Sequence, residues 1–186
     1  MSRVLTVASI VDTTGTETNA VLWEIIGQIF HETGTPLTIL PHLSWHVAAH
    51  YDQDLLDEYL RRLARKIGTV PLNVVGVGVF SGKNPVIYLP VTKTPVIARL
   101  HHLLWSELGA ISTEVNPNYD PMVWIPHVSL SIGEVNREVI SKVVTEMAFL
   151  SMDFQLVATN IAVLYKDQSG GGIFNKYSLD GGEKVL

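Results

Sequence analysis

Twelve consecutive residues of this chain recur later in the same order of residue types, and that repetition constrains the fold more than any other feature. Pro36 to Val47 reads PLTILPHLSWHV, and Pro121 to Ile132 reads PMVWIPHVSLSI. The two align without a gap, proline on proline, histidine on histidine and serine on serine, and His127 follows His42 by 85 residues (127 − 42). A repeat at one long offset marks a duplicated supersecondary unit when the flanks repeat as well.

The flanks do. Residues 52 to 67 carry apolar side chains at 55, 56, 59, 60, 63, 64 and 67, with acids in the first turn and basic residues toward Gly68, the pattern of an amphipathic helix. After the second copy, Asn136 to Leu150 has a capping Asn136, an early Glu138 and apolar residues at 139, 140, 143, 144 and 147, which predicts a second helix. Leu72 to Phe80 and Pro85 to Val91 then read as strands around the turn Ser81-Gly82-Lys83-Asn84, and Phe154 to Tyr165 and Ile173 to Leu179 as strands around a loop holding Gly170, Gly171 and Gly172. Glu17 to Thr33 and Thr94 to Leu108 are predicted helices ahead of each motif strand, stopped at Gly34 and Gly109. Val4 to Val11 adds a leading strand. Ala110 to Pro121 reads as a loop, either a surface excursion or a lid.

The resulting expectation is an α+β fold, bilobal, built from duplicated β-α-β-β lobes with mainly antiparallel sheets and a central cleft on a pseudo-twofold axis. A length of 186 residues suits one domain. The halves would be approximately 1–92, carrying the first His-x-Ser, and 93–186, carrying the second. With 47% hydrophobic and 17% charged residues the chain can bury a sizeable core.

A net charge of −5 argues against long duplex nucleic acid as a partner, because neutralising many phosphates requires a basic surface. The absence of cysteine removes disulfides, thiolate zinc sites and a cysteine nucleophile, and makes a cytoplasmic location the expectation. The first apolar run is cut short by Asp12, unlike a signal peptide, and no run reaches the roughly 18 apolar residues of a membrane span.

On a strand, alternate side chains share a face. His42, Ser44, His46 and His50 are therefore expected opposite Leu43, Trp45, Val47 and Ala49, and His127, Ser129 and Ser131 opposite Val128, Leu130 and Ile132. Two polar faces meeting across a cleft would put two imidazoles around one ligand. Cleaving a phosphate ester needs one group to take a proton from the attacking oxygen and another to protonate the leaving oxygen. Imidazoles of pKa about 6.5 serve either role. Serine hydroxyls two residues along can hold the non-bridging oxygens. His42 and His127 are thus the candidate catalytic pair and Ser44 and Ser129 the candidate phosphate binders, with His46, Ser131 and Tyr119 as further candidates to line the cleft.

Other groupings carry less. His42, His46 and His50 have helical spacing, but on a strand His42 and His46 stand about 13 Å apart, so no metal site is expected. His101 and His102 are assigned to the surface of their helix. The triple glycine lacks the Lys-Ser/Thr of a phosphate-cradling loop. Tyr119, Trp124, Tyr165 and Lys176 are all candidates for base stacking or phosphate charge.

The motifs PHLSW and PHVSL, with their spacing and the order of surrounding elements, resemble the 2H phosphoesterase superfamily, which includes the 2′-5′ RNA ligase-like proteins and cyclic phosphodiesterases. The resemblance implies a cleft between two lobes and metal-independent, cofactor-free hydrolysis of 2′,3′-cyclic phosphates or 2′-5′ linkages in RNA processing. It assigns acid and base to His42 and His127, and phosphate binding to Ser44 and Ser129, where many members have threonine. A small nucleotide or an RNA 3′-end is the expected partner of a monomer. A non-catalytic nucleotide-phosphate binding module and a reversible 2′-5′ RNA ligase remain alternatives, and which histidine is the acid stays open.

Overall fold

The local signals described above cap and stop the helices of the structure. This is a computed structural model that describes residues 4–12, 17–38, 40–131, 135–150, 154–167 and 170–181. Its helices are α1 (Glu17–Glu32), α2 (Gln53–Ala64), α3 (Pro95–Gly109) and α4 (Arg137–Ala148). Asp52, Thr94 and Asn136 each accept a hydrogen bond from the amide three residues on, satisfying donors that a helix start leaves free. Pro95 adds its fixed φ at the first position of α3. Gly34 follows α1 with φ of 66°, a left-handed turn that favours glycine. Gly109, by contrast, is the last residue of α3 itself, and Ala110 caps it.

The strands are β1 (Val4–Ile10), β2 (His42–Tyr51), β3 (Val70–Val74), β4 (Gly78–Phe80), β5 (Val86–Pro90), β6 (Ser112–Val115), β7 (His127–Ser129), β8 (Phe154–Ala158), β9 (Asn160–Asp167) and β10 (Gly170–Ser178). Every pairing among them is antiparallel. The result is a mixed α+β fold with a mainly antiparallel sheet.

Its main sheet runs β10-β9-β1-β2-β7-β5-β4, with β6 added beside β2, and a second sheet pairs β3 with β8. The predicted strands 72–80 and 154–165 are each two strands. β3 leaves for the second sheet while β4 stays in the first, and β8 and β9 part in the same way. The break before β4 falls at Gly76, whose φ of 148° suits glycine. The expected loop 110–121 holds β6 and a 3-10 turn (Pro117–Tyr119), and Gly170–Gly172 open β10.

Ladder registers on the two sides of the β2–β7 joint match. Ser9 of β1 faces Leu43, Leu43 faces Val128, and Val128 faces Leu89 of β5. Beyond the strands, Val11 bridges Ala158 of β8 as Val91 bridges Val74 of β3. Val11 donates its amide to the Pro41 carbonyl and Val91 to the Pro126 carbonyl, both at 2.9 Å. One buried cluster draws on both halves of the chain, from Leu5, Leu43 and Leu72 to Val128, Val143 and Leu156.

Strict alternation fails past Trp45. Ala8 faces Ser44 but Val7 faces His46, so Trp45 is an extra residue bulged out of the ladder. The bulge turns His46 inward beside Trp45, both with no exposed surface. His101 also corrects the sequence expectation: it lies on the buried face of α3 with Leu100 and Leu104, while His102 is exposed. The motif residues Ile39 and Ile132 lie outside the described residues. Among the described residues, no helix is long and apolar enough to cross a membrane.

Candidate active site

The pairing of Leu43 with Val128 arranges four polar side chains on the opposite face of the sheet. Counting outward along the antiparallel ladder, His42 stands across from Ser129 and Ser44 across from His127. Residues opposite each other have Cβ atoms about 4.5–5.5 Å apart, and diagonal ones about 7–8 Å. Each histidine thus has a serine of the other strand beside it and the other histidine on the diagonal. All four are half-buried, whereas Leu43 and Val128 beneath them have no exposed surface.

Both imidazoles are held in the same way. His42 Nδ1 lies 2.8 Å from the Leu40 carbonyl and His127 Nδ1 lies 2.7 Å from the Ile125 carbonyl. A carbonyl only accepts, so each Nδ1 carries its proton and donates it, which leaves Nε2 as the free nitrogen. The intervening proline explains the recurrence. It restricts the residue before it, whose carbonyl is the acceptor, to extended conformations in both copies.

Burial lowers the pKa of His42, and its Leu40 hydrogen bond counters only part of the shift. Burial also lowers the pKa of His127, the Ile125 bond opposes it, and repulsion from His42 adds to the lowering. Protonating one ring therefore discourages protonation of the other.

A cleft of about 460 Å³ opens from His127 toward β4 and the 3-10 turn, lined by Phe80, Asn116, Tyr119, Trp124 and Ile125. Its size falls in the range of roughly 300–1,000 Å³ usual for small-molecule sites. Phe80 stacks on Tyr88 with ring centroids 4.0 Å apart, and both make T-shaped contacts with the His127 ring, at 4.8 and 5.3 Å. Gly78 permits this, because a Cβ there would lie 2.4 Å from the Tyr88 ring. Tyr119 is hydrogen-bonded to Ser44, which partly offsets the rise that burial imposes on its phenol pKa. Trp124 is stacked on His101, centroids 3.7 Å apart at 9°, and supports the cleft from below.

The other sequence candidates lie elsewhere. His46 does not share the His42 face: it is interior, its Nδ1 is 2.5 Å from the Tyr51 hydroxyl, and burial lowers its pKa to about 4. The Ser131 hydroxyl accepts the Ile87 amide at 3.1 Å and so closes the end of the ladder. His50 is exposed beside Glu114. Tyr165 packs on the core and Lys176 is exposed on β10 at the far edge of the sheet. Sequence reasoning missed Phe80 and Tyr88 as site residues, since nothing local reveals that β5 joins β7; the one signal was a glycine and two aromatics in adjacent predicted strands.

An antiparallel α+β fold that sets two His-x-Ser strands side by side is the form of a 2H phosphoesterase. The chain belongs to the 2′-5′ RNA ligase superfamily, whose profile matches residues 30–170. A protein of Geobacillus sp. (strain WCH70), named provisionally as a phosphoesterase, is 26% identical over 149 residues, covering 78% of this chain and 82% of its own. The fold is similar to that of TT0787 of Thermus thermophilus, with TM-score 0.61 and 18% identity over 97% of this chain and 100% of that one. It is also similar to E. coli LigT complexed with 3′-AMP, with TM-score 0.60 and 14% identity over 96% and 99% of the two chains.

Proposed function

We propose that this protein is a metal-independent phosphodiesterase that opens 2′,3′-cyclic phosphates, or cleaves 2′-5′ linked nucleotide or RNA-end phosphodiesters, by acid–base catalysis between His42 and His127. The observation that carries this reading is the matched tethering of the two rings, each donating Nδ1–H to a carbonyl two residues upstream and keeping Nε2 free.

A free Nε2 is the atom that moves a proton. In hydrolysis the neutral imidazole takes a proton from water as the new oxygen–phosphorus bond forms. The protonated imidazole gives its Nε2 proton to the ribose oxygen as the old bond to phosphorus breaks. Two groups whose mutual repulsion favours one proton over two are suited to that division. Ser44 and Ser129, each beside one histidine, donate hydrogen bonds to the non-bridging oxygens that carry the negative charge. The size of the cleft and the 3′-AMP held by E. coli LigT support a small nucleotide or an RNA end as the substrate.

The test is turnover of a panel of 2′,3′-cyclic nucleotides and 2′-5′ linked dinucleotides by the wild type, His42→Ala and His127→Ala, beside calorimetric binding. Each substitution is expected to lower turnover about 10²- to 10⁴-fold. Wild-type rates in both variants would overturn the proposal, and binding without any turnover by the wild type would reduce the protein to a nucleotide-binding module.

A further inference from the structure

Resting on the two-histidine reading, we infer that Asn160 is a positioning residue for His42: its buried side-chain amide clamps Ile10, the residue that β1 sets directly against that histidine. Asn160 is 3% exposed at the start of β9, and no part of the proposed chemistry uses it. Its Oδ1 accepts the Ile10 amide at 3.0 Å and its Nδ2 donates to the Ile10 carbonyl at 2.8 Å, across 150 residues of chain. Nδ2 also makes a longer contact of 3.5 Å to Thr159 Oγ1.

The register explains why a side chain is needed there. Val11 donates its amide to the Pro41 carbonyl, so those two form a hydrogen-bonded pair of the antiparallel ladder, and Ile10 opposite His42 forms a non-bonded one. In a non-bonded pair the Cα atoms approach to about 4.5 Å, and the N–H and C=O groups point away from the partner strand. Those of Ile10 therefore face β9, whose ladder with β1 ends at Ala8 and Ala162. Unpaired and shielded from water, both groups would be costly. An asparagine amide offers an acceptor and two donors and so meets both.

The other half of the chain meets the same need differently. Pro90 stands against His127 as Ile10 stands against His42. Residue 75 precedes Asn160 by the same 85 residues that separate the two histidines (160 − 75), and there the Val75 amide donates to the Pro90 carbonyl at 3.2 Å. Proline has no N–H, so a donor alone suffices. Ile10 has one, and a side chain with both functions takes the place of the backbone amide. Each histidine thus has a clamped neighbour, but only the clamp beside His42 is a replaceable side chain.

From Ile10 the clamp reaches the ring by two routes. Ile10 and Leu40 both pack against the small apolar cluster of Ala8, Ala162 and Leu164, and the Leu40 carbonyl accepts the His42 Nδ1 proton. Val11, next in the chain, holds Pro41, the residue between Leu40 and His42. Releasing Ile10 loosens the end of β1 and with it the Leu40 carbonyl, so the proton of a neutral His42 is no longer confined to Nδ1. A ring in the wrong tautomer or turned from the site serves neither proton-transfer role.

The test uses protein carrying isotope-labelled histidine and reads the imidazole nitrogen shifts of His42 and His127 by NMR at about pH 8.5, where both rings are neutral. The wild type is compared with Asn160→Ala and with Asn160→Ser, whose hydroxyl can still meet one of the two Ile10 groups and which decides where the alanine variant does not fold. Both wild-type rings are expected to be protonated on Nδ1. In either variant His42 is expected to become a mixture of tautomers while His127 is unchanged, and kcat on a 2′,3′-cyclic nucleotide is expected to fall about 10- to 10²-fold with KM within about twofold. An unchanged His42 signal in a folded variant, or both histidines changing together, would overturn the positioning role and leave the two-histidine reading intact. Loss of the His42 tautomer with no change in kcat would overturn that reading, and the positioning role with it.

Discussion

Leu43 and Val128 face each other across the antiparallel joint of β2 and β7, both without exposed surface, and their pairing sets the diagonal on which His42 and His127 stand. Leu43→Ala removes core contacts directly under the site. It should cost about 2–5 kcal/mol of stability, the range for buried leucine truncations, measured by urea unfolding. A cost within experimental error would mean that this joint is not the rigid base of the site.

Hydrolysis should be fastest on the acidic side of pH 6.5. Burial lowers both histidine pKa values from 6.5, so at pH 7 both rings are mostly neutral and the singly protonated pair grows as pH falls. A bell-shaped kcat/KM profile centred below 6.5 is expected from initial rates on a 2′,3′-cyclic nucleotide. A profile still rising above pH 7.5 would contradict it.

Stability should fall over the same acidic range for a different reason. His46 and His101 have folded pKa values of about 4, both lowered chiefly by burial, against an unfolded value near 6.5. Between those values the unfolded chain binds protons that the folded one refuses. The stability present above pH 6.5 is therefore lost as pH drops toward 4. Urea midpoints from pH 7 to 4.5 should decline, and His101→Phe should flatten the slope; an unchanged slope would show that His101 does not carry this dependence.

Gly78→Ala should act through Tyr88. The new Cβ would lie 2.4 Å from the ring, so the ring must swing away and take the stack with Phe80 with it. Overpacking costs about 1–3 kcal/mol, and KM for a nucleoside 2′,3′-cyclic phosphate should rise severalfold. Unchanged KM in a folded variant would remove Tyr88 from substrate binding.

Ser44→Ala and Ser129→Ala should each lower kcat, with a ceiling of about 10²- to 10³-fold, the loss typical of removing one donor to a developing negative charge. Ser→Thr at either position should retain most of the rate, because the hydroxyl stays on the same face. Tyr119→Phe frees the Ser44 hydroxyl from its partner and should have the smaller effect.

Local patterns in the chain reveal the elements, the helix caps and the faces of residues 42–44 and 127–129, because each depends on nearest neighbours and on a period of two or 3.6. What they conceal depends on contacts between distant segments. The bulge at Trp45 that buries His46 arises from the ladder with β1 and leaves no local mark. His101 reads as a surface residue by polarity, yet the α3 face that carries it is the buried one, where Trp124 covers its ring. Phe80 and Tyr88 enter the site because β5 pairs with β7, a pairing between segments about 40 residues apart.

The most direct measurement of the central claim is a crystal structure of this protein soaked with a nucleoside monophosphate. The account predicts the phosphate between the two Nε2 atoms of His42 and His127, within hydrogen-bond distance of Ser44 and Ser129. A phosphate bound away from the four side chains, or Nε2 atoms too far apart for one phosphate to reach both, would contradict it.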